Sequence, residues 1–169
     1  MKEGVINYAI YEDGTEFLGI ADITLPDIKR ITAEIQGSGM NGVLNSPIIG
    51  NFEAMTATFS FKTPCKEQST LFEGRVHTLD CRAAVQDRNS VSGEIEVIPH
   101  KYIMKVTPVT QSLGKLAPAS TSDGSGEYAV SYFAEYIDGK KMTEIDILNF
   151  ICIINGVDEL RDVRKALGK

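Results

Sequence analysis

Phe52–Lys62 reads FEAMTATFSFK, and its alternation decides the class of the fold. Met55, Ala57, Phe59 and Phe61 share one parity, and Thr56, Thr58, Ser60 and Lys62 share the other. A period of two over this length belongs to a β-strand with one face in a core and the other against water or a polar partner. Downstream, RVHTLDCRAAVQ (75–86) sets Leu79, Cys81, Ala83 and Val85 against Thr78, Asp80, Arg82 and Gln86. SGEIEVIPHKYIMKVT (92–107) continues the pattern, with Pro99 predicting a bulge or an edge position. EYAVSYFAEYIDG (127–139) gathers Tyr128, Val130, Tyr132, Ala134 and Tyr136 on one face before Asp138-Gly139 turns the chain. Upstream, Val5–Tyr11, then EDGTE, then Phe17–Ile23 reads as a β-hairpin, because Asp13-Gly14 is a favoured tight-turn pair.

Upstream of the opening stretch, across residues 43–51, lies GSGMNG (37–42), which spells the G-x-G-x-x-G of dinucleotide loops. Its surroundings do not fit that chemistry, which needs a buried parallel strand before the glycines, a helix after them and an acidic residue about 20 positions on. DIKRITAEIQ (27–36) alternates as a half-solvated strand, Pro47 and Gly50 break any following helix, and ATFSFKTP (57–64) holds no acid. The glycines are expected instead in a long excursion, 37–51, between two strands; a second Pro-, Ser- and Gly-rich excursion is expected at 107–126.

Two helices are predicted. One is two turns long, in KEQSTLFEG (66–74). The other closes the chain at VDELRDVRKALG (157–168), with Asn155 as cap, acids in the first turn, bases in the last and Gly168 as the stop. Leu160, Val163 and Leu167 fall at i, i+3 and i+7 and predict one docking stripe. Just before it, ILNFICII (147–154) is apolar on both parities apart from Asn149, which predicts a strand covered on both faces.

At 169 residues and 43% hydrophobic content the chain is most naturally one domain able to bury a core without disulfide or metal. A net charge of −6 and the lack of a basic run with interleaved aromatics argue against nucleic-acid recognition. No stretch approaches the ~20 apolar residues of a membrane-spanning helix, so no membrane anchor is expected, and the first residues lack a signal peptide's apolar stretch, so synthesis and assembly in a cytosol are expected. Cys65, Cys81 and Cys152 lack C-x-x-C spacing and read as free thiols; His77 and His100 have no partner at ligand spacing. Glu94 and Glu96 are same-face strand residues, and no G-x-S-x-G, Walker A or H-E-x-x-H is present, so neither catalytic residues nor a cofactor are expected. The fold class is thus mainly β (α+β): an antiparallel sheet domain of seven to nine strands, one short helix and a C-terminal helix. Periodicity leaves two functions open, a ligand-binding barrel and an assembly subunit.

Three blocks in order, NYAIYEDGTEFLGIADITLPDI (7–28), GSGMNGVLNSPIIGNF (37–52) and IDGKKMTEIDILNFICIINGVDELRDVRKALG (137–168), carry a resemblance over nearly the whole chain. The sequence resembles the major tail tube proteins of contractile-tailed bacteriophages and phage-tail-like bacteriocins, whose fold is related to the type VI secretion tube protein. The resemblance implies a β-sandwich, barrel-like, with a flanking helix. It implies assembly into hexameric rings stacked as a hollow tube within a contractile sheath, in a virion or a released particle. The implied partners are further copies of the chain, the sheath, baseplate and tail terminator proteins, a tape measure protein in the lumen, and DNA as passing cargo in a phage. On this reading Gly37, Gly39, Met40, Asn41 and Gly42 form a subunit-contact loop with Met40 as an apolar plug. ILNFICII becomes a central strand, with burial between subunits as the alternative. Candidate lumen-facing residues are Thr56, Thr58, Ser60 and Lys62 on one strand and Thr78, Asp80, Arg82 and Gln86 on another, the outer surface under the sheath being the alternative for each.

Overall fold

The computed structural model describes residues 1–16 and 20–169; Phe17–Gly19, within the expected hairpin, lie outside the described residues. Among the described residues, ten strands join one antiparallel sheet that does not close on itself. Its long strands are β1 (Lys2–Glu12), β7 (His77–Arg88), β8 (Ile95–Ser112) and β9 (Gly124–Ile137). They are followed by β10 (Lys140–Asp146), β11 (Ile151–Ile154) and β12 (Val157–Asp158), and β2 (Thr15–Glu16) lies at the other end. The order is β12-β11-β10-β9-β8-β7-β1-β2. The first half of β9 instead pairs with β6 (Met55–Phe61), and β6 pairs with β3 (Ile20–Thr24). Thus β3 is the partner of β6 rather than of β1, and the Asp13-Gly14 hairpin is short: it pairs Tyr11 with Glu16 and Glu12 with Thr15.

The sheet turns a corner at β8 and β9. From Lys105 opposite Tyr132 the register passes to Val106 opposite Val130, leaving Ser131 as an extra residue. A bulge bends the strand and reverses its parity. Tyr128 and Val130 therefore face the core before the bulge and Phe133 after it, whereas Tyr132 turns outward. The single tyrosine face read from 127–139 is corrected accordingly.

Met55, Ala57, Phe59 and Phe61 are all buried, and their partners across the core include Ile10, Leu79, Met104 and Val106. Helix α1 (Lys66–Leu71) contributes Leu71. Each aliphatic or aromatic side chain so buried contributes about 1.5–3 kcal/mol against the entropy of ordering the chain. Burial raises the Cys81 thiol to about 12, so this free cysteine stays protonated at neutral pH. Cys65 is only half-buried.

Both loop excursions are shorter than expected. Leu44–Phe52 is strand β5, where Pro47 is tolerated because the strand lies in a two-stranded sheet with an open edge. The second loop spans 113–123, since β8 runs to Ser112 and β9 starts at Gly124. ILNFICII is not one strand covered on both faces. Asp146 Oδ1 accepts the N–H groups of Leu148 (3.0 Å) and Asn149 (3.1 Å), which makes residues 147–150 a turn. Ile147, Leu148 and Phe150 are exposed there.

Candidate functional site

Strands β4 (Arg30–Ile35) and β5 pair with each other as a separate two-stranded sheet, an arm on the main body. Gly37, Gly39, Met40, Asn41 and Gly42 come together at its tip, where the Met40 N–H donates to the Gly37 carbonyl at 3.1 Å. All five are exposed. Behind the tip Ile31, Ile35, Val43, Leu44, Ile48 and Ile49 are exposed as well. A single layer of two strands has nothing behind it to bury an apolar row, so the arm carries a large uncovered hydrophobic surface. Such surfaces mark interaction sites. The arm is fastened to the body by Arg30 to Glu159, and its two strands are tied to each other at the root by Lys29 to Glu53, whose N–H also donates to the Lys29 carbonyl at 2.8 Å.

The candidate polar residues are not brought together. Thr56, Thr58 and Ser60 lie on a four-stranded region in the order β3, β6, first half of β9, second half of β8. Directly opposite them are Ala129, Glu127 and Ser125, then Thr107, Thr110 and Ser112 on β8, with Thr24 and Asp22 on β3. Apart from Ala129, the paired residues of this face carry hydroxyls or carboxylates; Lys62, just past the end of β6, is exposed at its margin beside Asp22 and Asp123. Thr78, Asp80, Arg82 and Gln86 belong to a different face, on β7 with β1 and the other halves of β8 and β9. That face pairs cations with aromatic rings: Arg82 is 4.8 Å from the Tyr11 centroid, Lys105 is 5.5 Å from Tyr132 and Lys141 is 5.7 Å from Tyr136. Asp80 is held by Arg82 at 2.8 Å and Lys101 at 3.5 Å.

The four-stranded region also ends in two bare edges. Pairing between β7 and β8 stops at His77 opposite Val106, so Thr107–Ser112 has a partner on the β9 side alone, and β3 pairs only with β6 among the described residues. Exposed edges of this length invite pairing with another chain. This is the layout of an assembling subunit, and comparison with known proteins agrees. Residues 2–168 match the family described as phage tail tube protein FII.

The chain belongs to the phage tail tube protein family.

It is a structural subunit of a tail tube. It is 24% identical over 164 residues to the tail tube protein of Escherichia phage P2, covering 94% of this chain and 93% of that one. It is 27% identical over 166 residues to the major tail tube protein of Serratia phage KSP20, covering 95% and 93%. Among solved structures, a cryo-EM chain from an extracellular contractile injection system, described as PVC sheath/tube terminator in the extended state, shares the fold. Its TM-score is 0.52 at 10% identity, covering 78% of this chain and 94% of that chain.

In the tube subunit the C-terminal segment departs from the helix read over 157–168. Asn155 and Gly156 both take positive φ (50° and 79°) and form a hairpin turn, so Val157–Asp158 returns along β11 and the Glu159 N–H donates to the Cys152 carbonyl at 2.9 Å. Helix α2 (Arg161–Ala166) starts only after that ladder ends, and Gly168 (φ 73°) closes it. Leu160 is buried and Val163 packs partly on the core, but Leu167 is 56% exposed. The short helix ends before its third stripe position reaches the sheet. His77 is fully buried, with its ring nitrogens 2.7 Å from Glu12 Oε1 and 3.1 Å from the Glu73 carbonyl, so its polar atoms serve the fold. Sequence reading missed Arg30, Gly50, Glu127 and Glu159. Gly50, isolated in a strand, is the one with a signal: such a glycine marks a bulge or a close approach of another group.

Proposed function

We propose that this tube subunit forms hexameric rings that stack into a hollow conduit, with the four-stranded face of Thr56, Thr58, Ser60 and Glu127 as the lumen wall. The observation that carries the reading is that this region has a free edge on each side and a non-core face without a cation among its paired residues. Edge-to-edge pairing of β3 with the second half of β8 from the next subunit continues the sheet around a ring and removes both edges. The resulting wall is hydrated and acidic, and a polyanion passes it without being gripped, because releasing counterions onto phosphates needs Lys and Arg. The face of Thr78, Asp80, Arg82 and Gln86, with its cations and rings, is then the outer one, turned to a sheath. The apolar arm with Met40 near its tip reaches neighbouring copies. Sheath contraction drives such a tube through a target envelope; baseplate, terminator and tape measure proteins complete the particle, which assembles in the bacterial cytosol.

Negative-stain imaging establishes whether purified subunits form tubes, and thiol labelling of those tubes assigns the faces. In a Cys65→Ser background, the Thr58→Cys variant is expected to react with a small maleimide and to be shielded from one carried on a large protein. The Arg82→Cys variant is expected to react with both in sheath-free tubes. Equal labelling of Thr58→Cys by both reagents would put that face outside, and a protein monomeric up to millimolar concentration would remove the ring altogether.

A further inference from the structure

The arm bends where it leaves the body, and two consecutive residues of the C-terminal segment sit against the bend. Across the arm the register passes from Arg30 opposite Phe52 to Thr32 opposite Pro47, so Ile48–Asn51 bulge against the single residue Ile31. Gly50 permits the bulge: its φ is 71°, and a Cβ there would lie 2.1 Å from Leu160 Cδ2, so Leu160 rests directly on the backbone. On the opposite strand Arg30 donates from Nη2 to Glu159 Oε1 at 2.9 Å and pairs through Nη1 with Oε2 at 2.8 Å. That two-pronged geometry fixes direction as well as distance. Arg30 is further held 5.5 Å from the centroid of the Phe52 ring. Glu159 and Leu160 are themselves anchored, the first by its N–H on the Cys152 carbonyl and the second by burial to 5% exposure.

We infer that Glu159 and Leu160 form a clamp on the arm's hinge, one residue gripping each strand, so that the angle of the arm is set by the C-terminal segment rather than by contacts along the arm. A two-stranded ribbon has no core of its own to resist pivoting at a four-residue bulge. The clamp supplies the missing stiffness. The inference rests on the reading above in one respect, that the arm is what a neighbouring copy receives; a pre-set angle then spares the assembling subunit the entropy of ordering the arm.

The test uses the full-length protein, with amide hydrogen exchange of residues 31–49 as one readout and tube formation by negative stain as the other. Arg30→Glu and Glu159→Arg are each expected to speed exchange in the arm about tenfold or more while the amides of β7 to β9 stay slow, and to abolish tubes. The doubly reversed protein re-forms the pair with its charges exchanged and is expected to recover both readouts. If the reversed singles fail to fold, Arg30→Gln, which removes the pair without bringing like charges together, gives the arm exchange. Unchanged arm exchange in the folded single variants overturns the clamp, and slow exchange recovered without tubes overturns its link to assembly. Should the unaltered protein form no tubes, the ring reading fails while the exchange readout still decides the clamp.

Discussion

Glu159 shows how one side chain joins distant parts of a chain. Its carboxylate is held below the ordinary glutamate range, first by the Arg30 hydrogen bonds and then by Arg30's charge, which together outweigh the effect of burial. A carboxyl depressed in the folded state stabilises it fully above the unfolded value, about 4.3, and the contribution is lost as pH falls through the depressed folded value. Asp158 is lowered in the same way by Arg164, so acid weakens both ties of this segment together. The expected outcome is that Glu159, followed by carboxyl-carbon NMR, titrates below about 4.3 and returns to that range in the Arg30→Gln protein. A midpoint that does not move on losing Arg30 would contradict this. Cys152, next to this site, is raised to about 11 by burial and stays a neutral thiol, so it adds no charge to the balance.

Among the elements, the C-terminal segment divides into a part that the core needs and a part that it does not. Leu160 and the β12 ladder are integral, whereas α2 has no fully buried residue and offers half of Val163 and the Arg164 pair with Asp158. Removing Arg161–Lys169 is expected to cost roughly 1–2 kcal/mol. Removing Val157–Lys169 takes Leu160, Glu159 and a strand as well and is expected to cost at least ~3 kcal/mol more, out of a total of about 5–15. Urea melts of the two truncations measure the gap; equal midpoints would show that Leu160 holds nothing. Tight turns were the most legible elements, since Asp13-Gly14 and Asp138-Gly139, both read as turns, take positive φ at both positions, as the pairs require. Reading Asn155 as a helix cap failed because asparagine serves both roles and only the strand partner at Ile153 and Ile154 selects between them.

Viewed whole, the molecule keeps the surfaces proposed for assembly apart from its core. The core lies between the two halves of one bent sheet, with Ile20 and Ile23 of β3 packed against it, while the outer part of the arm and the exposed turn at 147–150 contribute little to it. Ile35 and Leu44 face each other across the arm and are both exposed. Replacing both by serine is expected to shift the urea midpoint by no more than the equivalent of ~0.5 kcal/mol. The same change is expected to abolish tubes in negative stain. Tubes of normal length from that variant would show that the arm's apolar surface is not the contact.

The alternation in FEAMTATFSFK and RVHTLDCRAAVQ determined by itself that this is an antiparallel sheet protein, and which side chains fill its core, because a period of two leaves one parity to bury. The order of its three quoted blocks pointed to the tail tube family. Which polar parities share a face was decided only by tertiary structure, since it depends on β9 pairing with β6 along one half and β10 along the other. The arm was likewise beyond a sequence reading: the apolar row of β4 looks like any core strand until the layer that would cover it is found absent. The Arg30–Glu159 clamp spans 129 positions in the chain. Local patterning carries no information across such a distance, and only the fold that closes it brings the two charges within 3 Å.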